Sequence, residues 1–168
     1  LDQFLNGDMH LAFEVVRVTL PGQLVLSSHG HVRIHQLDEF IESRIAAMTL
    51  TIKVQGAKVL GPPLGIYHGA VNEDEDGPVQ VAIPIDMPLG DPGANMHVDL
   101  PGGEFAGVDA RGEECSFPRI LGAYDAVSNW VTGQGYSLSG SPREVWHQRS
   151  GKEAHFQILW HYTRQTGN

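Results

Sequence analysis

A carboxylate set among aromatic residues is the most chemically suggestive grouping in this chain. Glu144 stands two places before Trp146 in Arg143-Glu144-Val145-Trp146, a stretch of strand-like alternation. If Val145 faces one side of a sheet, Glu144 and Trp146 share the other. Trp160 and Tyr162 are also two apart, in the final apolar run, and are expected to share one face. Tyr67 lies in an earlier segment of similar make-up. Glu144 ringed by Tyr67, Trp146, Trp160 and Tyr162 suits cationic, flat or lipophilic ligands through charge and cation–π contact. The competing reading is an exposed strand face on which Glu144 pairs with Arg143 or Lys152.

Other chemistry is weaker. His29-Gly30-His31 with His35 offers imidazoles, but no Cys or carboxylate falls at a familiar ligand interval, so a surface cluster is preferred and no metal is expected. Asn72-Glu73-Asp74-Glu75-Asp76-Gly77 begins like a calcium loop, yet Ile83 occupies the place of the required final Glu. Gly135 to Gly140 misses the nucleophile-elbow spacing by one residue, and there is no phosphate-binding glycine loop with its Lys. Cys115 follows Glu113 and Glu114, whose charge disfavours a thiolate. No cofactor is implied.

The elements that must position Glu144 come in two copies. Gly61-Pro62-Pro63-Leu64-Gly65-Ile66-Tyr67-His68 returns as Gly140-Ser141-Pro142-Arg143-Glu144-Val145-Trp146-His147, a shift of 79 (140 − 61 = 79). Leu20-Pro21-Gly22 returns as Leu100-Pro101-Gly102, a shift of 80 (100 − 20 = 80). Ile41, Ile45, Met48 and Ile52 have helical spacing, and the first shift carries them to Ile120, Tyr124, Val127 and Val131. Gly56 and Gly135 follow as helix-ending glycines. Each half therefore reads as strand, helix and a pair of strands. The mismatch between Gly65 and Glu144 breaks the symmetry, and it marks the first place to look for function.

The spacing predicts helices over 36–55 and 117–132, and strands over 13–20, 24–26, 59–67, 79–85, 96–100, 104–110, 144–146 and 154–162. The 59–67 strand, interrupted by Gly61-Pro62-Pro63, should be irregular or lie at an edge. Residues 72–77 form a solvated hairpin loop. The expected architecture is α+β: duplicated strand–helix–strand–strand units in a pseudo-twofold antiparallel sheet, two helices on one face and a central ligand cleft. Residues 13–162 form the domain, with halves of about 13–86 and 96–162. Residues 1–12 read as a linker or the cut end of a longer polypeptide, with Met9 an alternative start, and 163–168 as a frayed tail.

Composition narrows the class. The chain of 168 residues is 41% hydrophobic and 18% charged, which is globular. Its net charge of −9, from 11 basic and 20 acidic residues, argues against direct nucleic-acid binding by this segment. No membrane span or signal peptide is expected, and one cysteine fits a cytoplasmic location.

These motifs, in this order and spacing, resemble the GyrI-like, or bacterial transcription-activator effector-binding, domain over residues from about Phe13 to Tyr162. The resemblance implies a small-molecule pocket between the helices and the sheet, with Glu144 as its carboxylate and Tyr67, Trp146 and Trp160 as its aromatics. The approaches to the helices, 32–37 and 112–118, depart from the family pattern. The leading expectation is a binding module for a drug-like aromatic, cationic molecule. It would be the effector-sensing part of a transcription regulator whose winged-helix DNA reader is fused or missing, or a stand-alone multidrug binder. The second is a hydrolase of cyclopropanoid or similar electrophilic toxins, with Glu144 as general base and Tyr67 or Tyr162 as proton donor. The third is a gyrase-inhibitor-like interaction module. A single carboxylate favours the binder over the enzyme.

Overall fold

The computed structural model of the protein describes residues 13–74 and 76–164. The expectations for 1–12 and for the tail beyond 164 lie outside the described residues. Thr163 still belongs to the last strand, and Arg164 bridges to Glu104 at 3.0 Å.

Helices form where the apolar spacing predicts them. Helix α1 (Leu37–Val54) buries Ile41, Met48 and Ile52, and helix α2 (Ile120–Gly133) buries Ile120, Ala123, Val127 and Val131. Gly56 and Gly135 follow these helices with φ of 81° and 80°, a conformation that costs a Cβ-bearing residue strain. Both helices begin after short 3-10 turns, Ile34–Gln36 and Gly112–Cys115. In each, a backbone N–H donates to a side chain three residues on, Arg33 to Gln36 and Arg111 to Glu114. Phe117 precedes Pro118 and is biased away from helix, so α2 starts later than its periodicity suggested. Among the described residues no helix is long and apolar enough to cross a membrane.

Among the described residues nine strands make one antiparallel sheet: β1 (Val16–Leu20), β2 (Gln23–Val32), β3 (Leu64–Tyr67), β4 (Gly77–Pro84), β5 (Met96–Leu100), β6 (Gly103–Arg111), β7 (Ser137–Leu138), β8 (Arg143–Gln148) and β9 (His155–Thr163). Their order is β1-β6-β9-β8-β3-β4-β2-β5, with β7 added beside β9. This is the expected α+β architecture, a curled antiparallel sheet with both helices on one face. Strand β3 differs from one of the two expectations for it. It lies at the centre, between β4 and β8, and the Gly-Pro-Pro irregularity precedes it.

The duplication now has a geometry. Leu64 pairs with Val145, Gly65 with Glu144, and Ile66 with Arg143. The pseudo-twofold axis therefore passes between the repeat-mates Gly65 and Glu144. A second pair of repeat-mates meets on the same symmetry. The register of β1 on β6 continues unshifted as that of β2 on β5, so two long kinked strands run side by side. They kink at Leu20-Pro21-Gly22 and Leu100-Pro101-Gly102, where a Cβ on Gly102 would lie 2.3 Å from the Leu20 carbonyl oxygen. Only a glycine tolerates that approach, because the obstructing atom is backbone. Gly102→Ala should therefore destabilise the domain by about 3 kcal/mol in urea unfolding. Gly22→Ala, whose Cβ would stand 3.3 Å from the Leu100 oxygen, should cost under about 1 kcal/mol.

The kink curls the sheet. Its concave face packs against α1 and α2 around Leu26, Val81, Val108, Trp146 and Ile158. A smaller cluster of Val25, Leu64, Ile66, Ala82 and Leu100 covers the other face. Period-two alternation assigns Glu144 and Trp146 to the helix side and Arg143 and Val145 to the opposite side.

Candidate functional site

Between the two helices and the central strands lies a cavity of about 870 Å³. Its walls come from the start of α1 (Leu37, Asp38, Ile41), the end of β3 (Tyr67, His68), the start of α2 (Ile120, Leu121, Tyr124) and the β8–β9 hairpin. Glu144 stands on its floor.

Glu144 is 5% exposed, yet each of its oxygens is occupied. Trp146 Nε1 donates to Oε1 at 2.8 Å, and the Tyr67 hydroxyl donates to the same oxygen at 3.3 Å. The Tyr124 hydroxyl donates to Oε2 at 2.6 Å. Burial raises the Glu144 pKa, and this outweighs the opposing effect of the donors from Tyr124, Trp146 and Tyr67 and of the nearby Arg149 charge. Burial and the Glu144 charge push both tyrosines well above their ordinary value, so they remain proton donors.

A carboxyl held above its unfolded value binds more protons in the folded chain. Its contribution to stability is complete below the unfolded pKa and is lost as pH rises through the folded one. Glu144→Gln removes that titration. The stability of the variant relative to the parent should rise with pH across the window that starts in the ordinary carboxylate range. Denaturant unfolding at several pH values reads this directly, and a flat difference would contradict the burial argument.

The structure brings together some of the expected residues and separates others. Tyr67 and Trp160 line the cavity with Glu144. Trp160 is held from behind, its Nε1 donating to the Gly140 carbonyl at 3.0 Å. Trp146 does not line the wall. It is 1% exposed, packed beneath the carboxylate, with its ring occupying the space above Gly65. Tyr162 departs from the expectation that it faces the ligand. It stacks on Tyr136 with ring centroids 5.0 Å apart and donates to Glu104, because β9 pairs with β7 there and carries it towards the far end of α2. The repeat-mates His68 and His147 also part company. His68 lies in the cavity wall, whereas His147 bonds Gln157 on the exposed side of the hairpin. Among the described residues no three His, Cys, Asp or Glu side chains converge on a metal position.

Two wall residues escaped the sequence reading. Tyr124 was recognised only as one of an apolar helix row. The signal for it was the same symmetry break, since its repeat-mate is Ile45. Arg149 had no such signal. Its guanidinium lies 4.8 Å from the Trp146 ring and is bound by Glu42 at 2.9 Å and Asp38 at 3.1 Å. The resident cation is thus engaged by two acids of α1, and the hairpin is tied to that helix. Cys115 also reaches the wall, with Sγ donating to the Ala110 carbonyl and burial as the first cause of its raised pKa.

No family model and no curated protein match the chain. Solved structures do. The chain superposes on EcmrR in a cryo-EM complex with DNA at a TM-score of 0.79 and 16% identity, covering 98% of this chain and 63% of that one. The chain therefore spans less than two thirds of that relative. For the crystal structure of the EcmrR C-terminal domain the values are 0.77 and 17%, covering 92% of this chain and 99% of that one. SAV2435 bound to tetraphenylphosphonium gives 0.61 and 14%, with 90% and 94% covered. A hydrolase from Listeria innocua gives 0.61 and 12%, with 95% and 98% covered. At these identities the likeness establishes the fold, which this chain shares with the C-terminal domain of EcmrR.

Proposed function

We propose that this chain is a binding module for lipophilic aromatic cations and serves as the effector-sensing part of a transcription regulator. The observation that carries this reading is that donors from Trp146, Tyr67 and Tyr124 already engage both oxygens of Glu144. The protein already supplies most of the carboxylate's hydrogen bonds, so the main thing a ligand has to bring is positive charge. Delocalised cations without N–H groups fit that requirement, whereas a strongly hydrated ammonium would sacrifice its water for little return. Tyr67 and Trp160 supply aromatic surface, with Tyr124 beside the carboxylate, and the cavity volume lies in the range for small-molecule sites. The complex of SAV2435 with tetraphenylphosphonium supports the same ligand class on this fold. The EcmrR–DNA complex supports a DNA-binding part outside the segment shared with this chain.

Calorimetric titration with tetraphenylphosphonium at fixed ionic strength tests the proposal. Saturable, one-to-one binding with quenching of Trp fluorescence is the expected result. Absence of both would sink it.

A hydrolase is the second reading, and Tyr124 is the observation that favours it. Its hydroxyl, 2.6 Å from Glu144, is a proton donor held beside a carboxyl that burial makes more basic. The engagement of both Glu144 oxygens weighs against it, because three donors already take most of the acceptor positions that a general base would offer to water. Mass spectrometry of a cyclopropanoid substrate incubated with the protein separates the two readings by the presence or absence of a ring-opened product.

A further inference from the structure

Arg143 precedes the pocket carboxylate by one residue, and strand alternation turns it to the opposite face of the sheet. There it lines a second, smaller cavity of about 350 Å³ beneath the kink of the long strands. The residue is only 7% exposed. Its guanidinium lies 4.7 Å from the Phe105 ring, and Nη2 donates to the Pro101 carbonyl at 2.8 Å. No carboxylate of the described residues lies within salt-bridge distance of it, unlike Arg33, Arg119, Arg149 and Arg164. Among the described residues no side-chain nitrogen or oxygen is both sealed from solvent and unpartnered. The remaining nitrogens of Arg143 are therefore not sealed from solvent, and the residue is part of the cavity wall.

A buried guanidinium without a counter-ion bears a desolvation penalty that an incoming anion relieves. The surrounding wall is built for a small ligand. Ile66, Val98 and Leu100 are apolar, and Ser141 and Gln80 are locked in place. The His68 ring bonds Ser141 Oγ through Nδ1 and Gln80 Oε1 through Nε2, each at 2.8 Å. Gln80 Nε2 continues the chain to Ser27 Oγ at 2.9 Å. With Gln80 so oriented, its Oε1 accepts from His68 Nε2. The other ionisable groups facing the cavity are His161 and, on the exposed edge strand, Asp99.

We propose that this cavity is a second ligand site, which adjoins the Glu144 pocket through the shared wall of His68, Gly140 and Ser141 and binds the carboxylate of a short aliphatic acid through a fork of Arg143 N–H donors. A carboxylate is the matching class because the planar guanidinium presents paired donors at carboxylate spacing, and the cavity adds an apolar end for an alkyl chain. Asp99 at the rim opposes the anion and limits its affinity.

The test is titration of the intact chain with sodium butyrate against sodium chloride at equal ionic strength, followed by NMR at Arg143 Nε and the amides of Val98, Leu100 and Ser139, which line this cavity and not the Glu144 pocket. Saturable shifts with butyrate and linear or absent shifts with chloride are expected. Arg143→Lys should weaken butyrate about tenfold or more, because a point charge replaces the fork. Asp99→Asn, an exposed substitution, should strengthen it by roughly threefold. Glu144→Gln should leave butyrate binding unchanged, which separates this site from the cation pocket. The proposal is overturned by shifts of equal size with chloride, by full affinity in Arg143→Lys with no gain in Asp99→Asn, or by tighter binding of inorganic phosphate than of butyrate.

Discussion

Glu144→Gln should abolish most of the affinity for tetraphenylphosphonium while leaving the fold intact. Gln is close to isosteric: its carbonyl oxygen keeps the Trp146 and Tyr67 donors, and the Tyr124 hydroxyl can rotate to accept from its amide. What disappears is the buried negative charge. Desolvated opposite charges couple strongly, so the expected loss is about 2–4 kcal/mol, roughly 30- to 1,000-fold in Kd. The same charge predicts a pH signature. The cation favours the carboxylate over the carboxyl, so parent affinity should grow as pH rises through the raised pKa of Glu144. The residual affinity of the variant should be flat over that range. Equal affinity in the two proteins would remove Glu144 from the binding reaction and leave only apolar packing.

Gly65→Ala should be among the most damaging single-methyl additions in the domain. A Cβ at this position would lie 2.5 Å from Trp146 Cζ2 and 2.7 Å from Cη2. The ring has no room to yield, being 1% exposed and covered by the Arg149 guanidinium. Overpacking of this kind costs about 3 kcal/mol in unfolding free energy. The functional consequence is separate, since a displaced indole no longer donates to Glu144 Oε1. The carboxyl pKa should climb further, and cation binding should weaken in the fraction that remains folded. Retained stability and retained binding together would show that the indole is not the fixed support described above.

This substitution also explains why the repeat is imperfect. The two copies meet face to face at Gly65 and Glu144, and the Trp146 ring fills the space that a Cβ on Gly65 would need. The second copy takes both the carboxylate and the indole that supports it. The first copy must then be glycine. A mismatch read from sequence as a sign of function is thus also a packing requirement.

Much of the fold was legible because it rests on short-range signals. The four-three-four rows of α1 and α2, the glycines closing them and the strand alternation around Glu144 all act within a few residues. The repeat itself needed only comparison of the chain with itself. The central place of β3 was less legible, since its prolines suggested an edge but stand just ahead of the paired residues. Among the aromatics, Tyr67 was expected from its place as the repeat-mate of Trp146 and Trp160 from its place in the last strand and the family resemblance, whereas the departure of Tyr162 towards β7 and Tyr136 depended on how β9 ends.

The amino-acid sequence by itself determined the duplication, the α+β class and the strand face that bears Glu144, because periodicity and repeated glycines encode them locally. Only the tertiary structure decided what surrounds that carboxylate. Its donors come from Tyr67, 77 residues away, and Tyr124, 20 residues away, and Trp146 proved a support beneath it. The same holds for Arg143, whose lack of a counter-ion among the described residues depends on the chain segments that fold over it. Burial and partnership are properties of the assembled neighbourhood, and no local pattern carries them.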